Sequence, residues 1–277
     1  MQKLKKLLLV IVSVLSVNLV NGQTFMFHSI PKDSTQIEIS YLHPFFDSNI
    51  DMSIISGVFD LSFNIPLKQK LNLFCSVPFM TFSFDYESGY GNYSLSGAGN
   101  IFLGMQLYKD HGGKNKSIGT FGFYLPSSWL IEYGYLTNAL NPEKYLHDRL
   151  TISVNFAHHR ITDNGFRSGV ELGPDFMIIT NSENSDDNDF IIHYGLSMGV
   201  QQNNIDLSAE LYGIGILTAE KSDDKFFHAL SFGISYLSQV SPSIFYKIYL
   251  EDELQDWVDG VLGLKLNYSL GSNAKND

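Results

Sequence analysis

The run Gly260-Val261-Leu262-Gly263-Leu264-Lys265-Leu266-Asn267-Tyr268-Ser269-Leu270 decides the fold. Leu262, Leu264, Leu266, Tyr268 and Leu270 alternate with Val261, Gly263, Lys265, Asn267 and Ser269. Successive side chains of a strand point to opposite faces, so this is a strand with one apolar side. The period recurs upstream. Leu150, Ile152, Val154 and Phe156 alternate with Thr151, Ser153, Asn155 and Ala157, and Phe190 to Val200 and Phe226 to Tyr236 repeat the pattern. About twelve such strands fit between Thr35 and Leu270, most of them long enough to cross a bilayer at a steep tilt. Leu71 to Phe84 is less regular, its apolar odd positions giving way to even ones near Pro78, which predicts that Pro78 sits at a bulge or near a strand end.

The connections alternate in length. Short links are expected at Lys68 to Lys70, Ile161 to Gly165, Gln202 to Asn204 and Gln239 to Pro242. Long ones are expected at Asp85 to Ala98, Ser127 to His147, Asn181 to Asp189, Thr218 to Lys225 and Glu251 to Asp259. Short turns at one rim and long loops at the other describe a transmembrane up-and-down antiparallel β-barrel, an all-β fold with both termini at the short-turn rim. The long links concentrate acid, as at Glu183, Asp186, Asp187 and Asp189, which reads as a solvated outer rim. None has the spacing or central glycine of the twelve-residue calcium loop.

A soluble sandwich also buries alternating faces, so alternation alone does not choose the solvent. Three features favour lipid. The second face is rich in Gly, Ser, Asn and Thr, with polar and charged residues at even spacing, as at Asp60, Ser62 and Asn64, at Arg167, Glu171 and Asp175, and at Asp206, Ser208 and Glu210. Aromatics cluster near strand ends, including Tyr108, Trp129, Tyr236, Tyr246 to Tyr249, Trp257 and Tyr268, as interfacial girdles do. And a closed sheet is the only β solution that satisfies every backbone group in hydrocarbon.

Residues 1–22 read as a cleaved export signal, with Lys3, Lys5 and Lys6 before an apolar run and Val20 and Gly22 suiting cleavage. The expected organisation is then a short segment at 23–34, the barrel at 35–270 and a tail at 271–277. The only cysteine, Cys75, is far from the cleavage point, which argues against a lipid anchor and an intramolecular disulfide. Losing the three leader lysines takes the formal charge from −11 to −14, so nucleic acid is excluded as a partner. The destination expected is the outer membrane of a Gram-negative-type bacterium.

The segment Asp60-Leu61-Ser62-Phe63-Asn64-Ile65-Pro66-Leu67, the turn after it, Leu71-Asn72-Leu73 running to Val77-Pro78-Phe79, and Gly97-Ala98-Gly99-Asn100-Ile101-Phe102-Leu103-Gly104 carry a resemblance. Together they resemble the outer-membrane barrels linked by name to the meta-pathway of phenol degradation, which are described as transporters. The likeness covers about the first half of the mature chain, on residue types common to barrels. It implies a channel or transport-related barrel and brings no catalytic or binding residues with it.

On the polar face the candidate lumen charges are Glu38, Asp60, Glu171, Asp175, Asp206 and Glu210 against Arg167, Lys247 and Lys265. Acids outnumber bases, which would favour cations or neutral polar solutes over anions in an open lumen. The alternative is a packed interior in which these groups pair, with Arg167 and Glu171 at its centre. The function expected is a passive pore for small solutes in contact with outer-membrane lipid, without metal or other cofactor. Its rivals are a closed structural or adhesive barrel acting through acidic loops, and a membrane-embedded lipid hydrolase. Hydrolysis would need a Ser and a His backed by a third group, but His158-His159-Arg160 lacks the His with a Ser two residues on. Gly89 with Gly91 and Gly97 with Gly99 precede no helix and make no phosphate loop. His28, His43, His111, His147, His193 and His228 show no metal-ligand spacing.

Overall fold

A computed structural model describes residues 34–47, 52–86, 92–112, 114–128, 139–181, 188–219 and 225–270. The expected leader, all but the last residue of the 23–34 segment, and the tail lie outside the described residues, as do Trp129 and the acids at 183, 186, 187, 223 and 224.

The strands are β1 (Thr35–Phe46), β2 (Met52–Lys68), β3 (Leu71–Tyr86), β4 (Asn92–Ala98), β5 (Ile101–Asp110), β6 (Asn115–Leu125), β7 (Arg149–Ile161), β8 (Phe166–Ile179), β9 (Asp189–Gln202), β10 (Ile205–Ile216), β11 (Phe226–Tyr236), β12 (Val240–Tyr249) and β13 (Val258–Leu270). A single helical turn, α1 (Asp252–Gln255), precedes β13. All pairings are antiparallel, and β13 returns to β1 with Leu270 opposite Thr35, so the sheet closes on itself. β4 and β5 share one place in the wall. β3 pairs with β5 from Leu71 to Ser76 and with β4 from Phe79 to Asp85, which makes a twelve-stranded barrel from thirteen segments.

The rims follow the expected alternation of links. β2 and β3 are joined through Gln69 and Lys70, and β9 and β10 through Asn203 and Asn204, with Asn203 in the left-handed backbone region that asparagine tolerates. Two expectations need correction. Asp85 to Ala98 is not one long loop, because β3 runs to Tyr86 and β4 takes up Asn92–Ala98; its small polar residues Ser94 and Ser96 hid the strand. Nor does Pro78 mark a bulge against β2, since Asp60 pairs with Pro78 in continuous register. The break is on the other side, between β4 and β5, where Pro78 has no N–H to give and its carbonyl accepts from Gly99 N at 2.8 Å.

The face of β3 never changes. Asn72, Phe74, Ser76, Met80 and Phe82 all point inward and are buried. The sequence suggested a switch because the interior itself changes character along the barrel axis. Toward the short turns it is polar, with Asn72 Nδ2 donating to Asn64 Oδ1 and Asn64 Nδ2 donating to Gln106 Oε1, both at 2.6 Å. Toward the long loops it is apolar, with Met177, Ile191, Tyr212, Ile214, Ala229, Tyr249, Val258 and Val261 in one buried cluster.

The outer face is predominantly apolar. On β13, Leu264 is 44% exposed and Leu266 42%, whereas Lys265 between them is 6% exposed. Leu196, Leu207, Phe156, Leu172 and Phe232 extend the same exposed belt around the barrel. Soluble monomers rarely show contiguous apolar patches beyond a few hundred Å², so this surface is built for hydrocarbon. Tyr236, Tyr246 and Trp257 stand exposed near the strand ends. Tyr249 departs from the expected girdle, since it points inward and is almost fully buried.

Candidate functional site

The long connection between β6 and β7 turns back into the barrel. Ala139 and Leu140 are buried in the apolar cluster formed by β8 to β13, while Tyr145, six residues after Ala139, packs against Val58, Met80 and Phe82 of β2 and β3. A segment that touches such different parts of the wall crosses the lumen. Apolar residues inside a rim connection were the one signal in the sequence for this, because a solvated loop has no use for Ala139-Leu140 and Tyr145-Leu146 together.

Asn100, at the break between β4 and β5, holds this loop in place. Its Nδ2 donates to Glu143 O at 2.9 Å and Leu146 O at 2.7 Å, and its Oδ1 accepts from Ser128 N at 2.9 Å. Its own N–H donates to Lys144 O at 2.7 Å. The neighbouring Gly99 permits this approach, since a Cβ there would lie 2.3 Å from the Lys144 carbonyl oxygen. Pro142–Lys144 forms a single 3₁₀ turn that aims Glu143 and Lys144 to different sides.

Lys144 Nζ donates to Asp60 Oδ2 at 2.7 Å, and Asp60 Oδ1 also accepts from Ser62 at 2.9 Å and Ser76 at 2.7 Å. Burial works against the charge on Lys144, but the Asp60 carboxylate outweighs it and holds the ammonium above its usual range. Burial raises the Glu143 carboxyl above its ordinary value, with His193 acting in the opposite sense.

Every candidate lumen residue lies on the inner face. Glu38 meets Lys265 at 3.1 Å and accepts from Asn267 at 3.2 Å. Arg167 Nε lies 2.8 Å from Asp206 Oδ1. Glu171 accepts from Asn155 Nδ2 at 2.5 Å. Asp175 Oδ2 contacts His193 Nε2 at 3.1 Å, and Lys247 sits 4.8 Å from the centre of the Tyr249 ring. Glu210 is fully buried, level with Ser197 and Ser231 on the flanking strands. Asp206 and Asn155 are thus contacts of Arg167 and Glu171 that an Arg167–Glu171 centre did not anticipate. Sequence reasoning also passed over Glu143, Lys144 and Asn100, and it set His193 aside.

Between the loop and the wall lies a cavity of about 120 Å³, bounded by Glu38, Asp60, Glu143, Asp175, His193 and Lys265 among others. Glu143, Asp175 and His193 bring one potential ligand atom each to within 4.8 Å of the others. The histidines of the hydrolase reading are elsewhere. His158 is exposed and shares the Ser117 hydroxyl with His111, at 3.0 and 3.2 Å. His159 points inward and His158 outward, so the pair cannot serve one site. Among the described contacts no carboxylate backs a serine–histidine pair.

A closed antiparallel barrel with an apolar outer belt, a polar lower lumen and a loop folded across its interior has the architecture of the bacterial outer-membrane barrels. Solved structures agree on the fold. The outer-membrane channel COG4313 from Pseudomonas putida F1 superposes with a TM-score of 0.61 at 13% identity, over 90% of this chain and 100% of that one. The NanC porin gives a TM-score of 0.52 at 6% identity, over 86% of this chain and 100% of that one. The translocator domain of the autotransporter NalP from Neisseria meningitidis gives 0.51 at 9% identity, over 84% of this chain and 87% of that one. No family model matches the sequence, and no curated protein matches it.

Proposed function

We propose that the protein is an outer-membrane channel for small solutes, with the Ala139 to Leu146 loop acting as a plug across its lumen. The observation that carries this reading is the Lys144–Asp60 pair. A loop cation neutralises a wall carboxylate beside a cavity, and the interior between that cavity and the short turns is packed with amides, serines and charges rather than with apolar side chains. A polar interior inside a lipid-facing cylinder is one that water and small polar solutes could enter once the loop withdrew. The likeness to channels and porins supports the reading at the level of fold, and the segments at Asp60–Leu67 and Gly97–Gly104 support kinship with the meta-pathway barrels.

Planar-bilayer recording tests it. Folded wild-type protein is expected to give small or infrequent conductance steps, and N100A to give larger or longer ones. Absence of any step from either folded protein would overturn the channel reading.

The packing of Ala139 and Leu140 against the apolar cluster favours a second reading, a permanently closed barrel whose outer loops do its work. Silent N100A and D60N barrels would establish that alternative.

A further inference from the structure

We propose that Glu143, Asp175 and His193 bind one divalent first-row transition-metal ion, with zinc the best match, and that the ion fastens the inward loop to the barrel wall. The three residues come from three elements: the β6–β7 connection, β8 and β9. The register sets Asp175 opposite Ile191 and Gly173 opposite His193, which places Asp175 and His193 as diagonal neighbours on the inner face. His193 Nε2 lies 3.1 Å from Asp175 Oδ2 and 3.6 Å from Glu143 Oε2. Ligand atoms about 2.0–2.1 Å from a tetrahedral zinc stand roughly 3.3 Å apart, so these separations bracket the required ones.

Two further observations point to a cation. Glu143 is 2% exposed, and its Oε2 has no hydrogen-bond partner although it faces the cluster; Asn141 Nδ2 engages the other oxygen at 3.2 Å. A buried carboxylate oxygen left without a donor is costly, and a metal ion supplies what is missing. On the far side of the imidazole, His193 Nδ1 lies 2.6 Å from the Tyr212 hydroxyl oxygen. Nε2, which shares a proton with Asp175 in the metal-free cluster, would give that position to the ion, and Nδ1–H would then donate to the Tyr212 oxygen, the outer-partner arrangement that metal-binding histidines use. Two carboxylates and a neutral imidazole are balanced in charge by a dication. The imidazole selects against calcium and magnesium, which take oxygen ligands, and the cavity beside the cluster leaves room for water at a fourth position.

The site is tested as binding, so it stands or falls independently of whether the lumen conducts. Full-length barrel without a histidine tag would be folded in detergent, stripped with EDTA and dialysed against zinc chloride. Metal would be counted by mass spectrometry and affinity measured against a zinc-sensitive dye. One zinc per chain is expected, weakened about tenfold or more in E143Q and H193Q. Cobalt in place of zinc should give a visible absorption band that H193Q abolishes. Migration of unboiled samples confirms folding, and E143Q, which alters the loop rather than the wall, keeps the test readable if H193Q does not fold. Folded wild-type protein without stoichiometric zinc, zinc binding unchanged in E143Q, or calcium bound in preference to zinc would each overturn the proposal.

Discussion

Arg167 reaches Asp206 across an intervening strand, and Gly199 is the residue it passes over. Arg167 lies on β8 opposite Gly199 of β9, Gly199 lies opposite Ser208 of β10, and the guanidinium Nε stops 2.8 Å from the Asp206 carboxylate. A Cβ at Gly199 would fall 2.9 Å from that nitrogen and 2.5 Å from the Leu207 carbonyl oxygen. Both charged residues are buried, so the pair sits where an uncompensated charge is costly. R167M, which takes the guanidinium away from the buried Asp206 carboxylate, is expected to cost about 3–5 kcal/mol, whereas R167M with D206M should recover most of it. Urea titrations of vesicle-inserted protein, followed by tryptophan fluorescence, would read both. Equal losses in the single and double variants would show that the loss does not come from an uncompensated Asp206 charge.

Gly99 permits a second close approach, this time between wall and loop. G99V should push the Lys144 carbonyl away and weaken the Asn100 tether, making the Ala139 to Leu146 loop cleavable by added protease in folded barrels. Protection identical to wild type would mean that the loop is held by its apolar contacts alone.

Lumen charge sets the third expectation. Glu38, Asp60, Glu171, Asp175, Asp206 and Glu210 outnumber Arg167, Lys247 and Lys265 on the wall, and the loop adds one of each sign, Glu143 and Lys144. If the barrel conducts, K144Q should raise the preference for cations and D60N should lower it, as read from reversal potentials across a salt gradient. Both variants shifting in the same direction would place the controlling charges elsewhere.

Depth along β13 gives the fourth. Leu264 stands near the middle of the strand and Leu270 at its end, both on the outer face. L264R should destabilise the inserted barrel by about 2–4 kcal/mol and L270R by about 0–1 kcal/mol. Equal costs would mean that the apolar belt does not centre on the hydrocarbon.

The outer face of this fold was legible in the sequence because lipid imposes one rule on every strand, and Leu262 to Leu270 state it without exception. The inner face follows no single rule. Met80 and Phe82 point inward among apolar neighbours while Asn72 and Ser76 on the same strand meet polar ones, so β3 read as if it had turned over. The wall charges could be placed on the inner face from their even spacing. Their pairings could not be read from it, because Asp206 meets Arg167 by crossing a strand and Lys144 meets Asp60 from a loop 84 positions away. Glu143, Asp175 and His193 converge for the same reason: closure of the sheet and the inward turn of one connection create the cluster, and no linear spacing encodes it.

The gap between β4 and β5 gives the loop a second identity. Asn100 donates its own N–H to the Lys144 carbonyl, at the place where the cylinder passes from one strand segment to the next. The loop therefore splints the wall as well as filling it. Withdrawing the loop would strip the Asn100 hydrogen bond from the cylinder itself, so for the proposed plug occlusion and mechanical integrity would be one cooperative property. A permanently open relative of this barrel would need an altered wall around positions 98–101 in addition to a shortened loop.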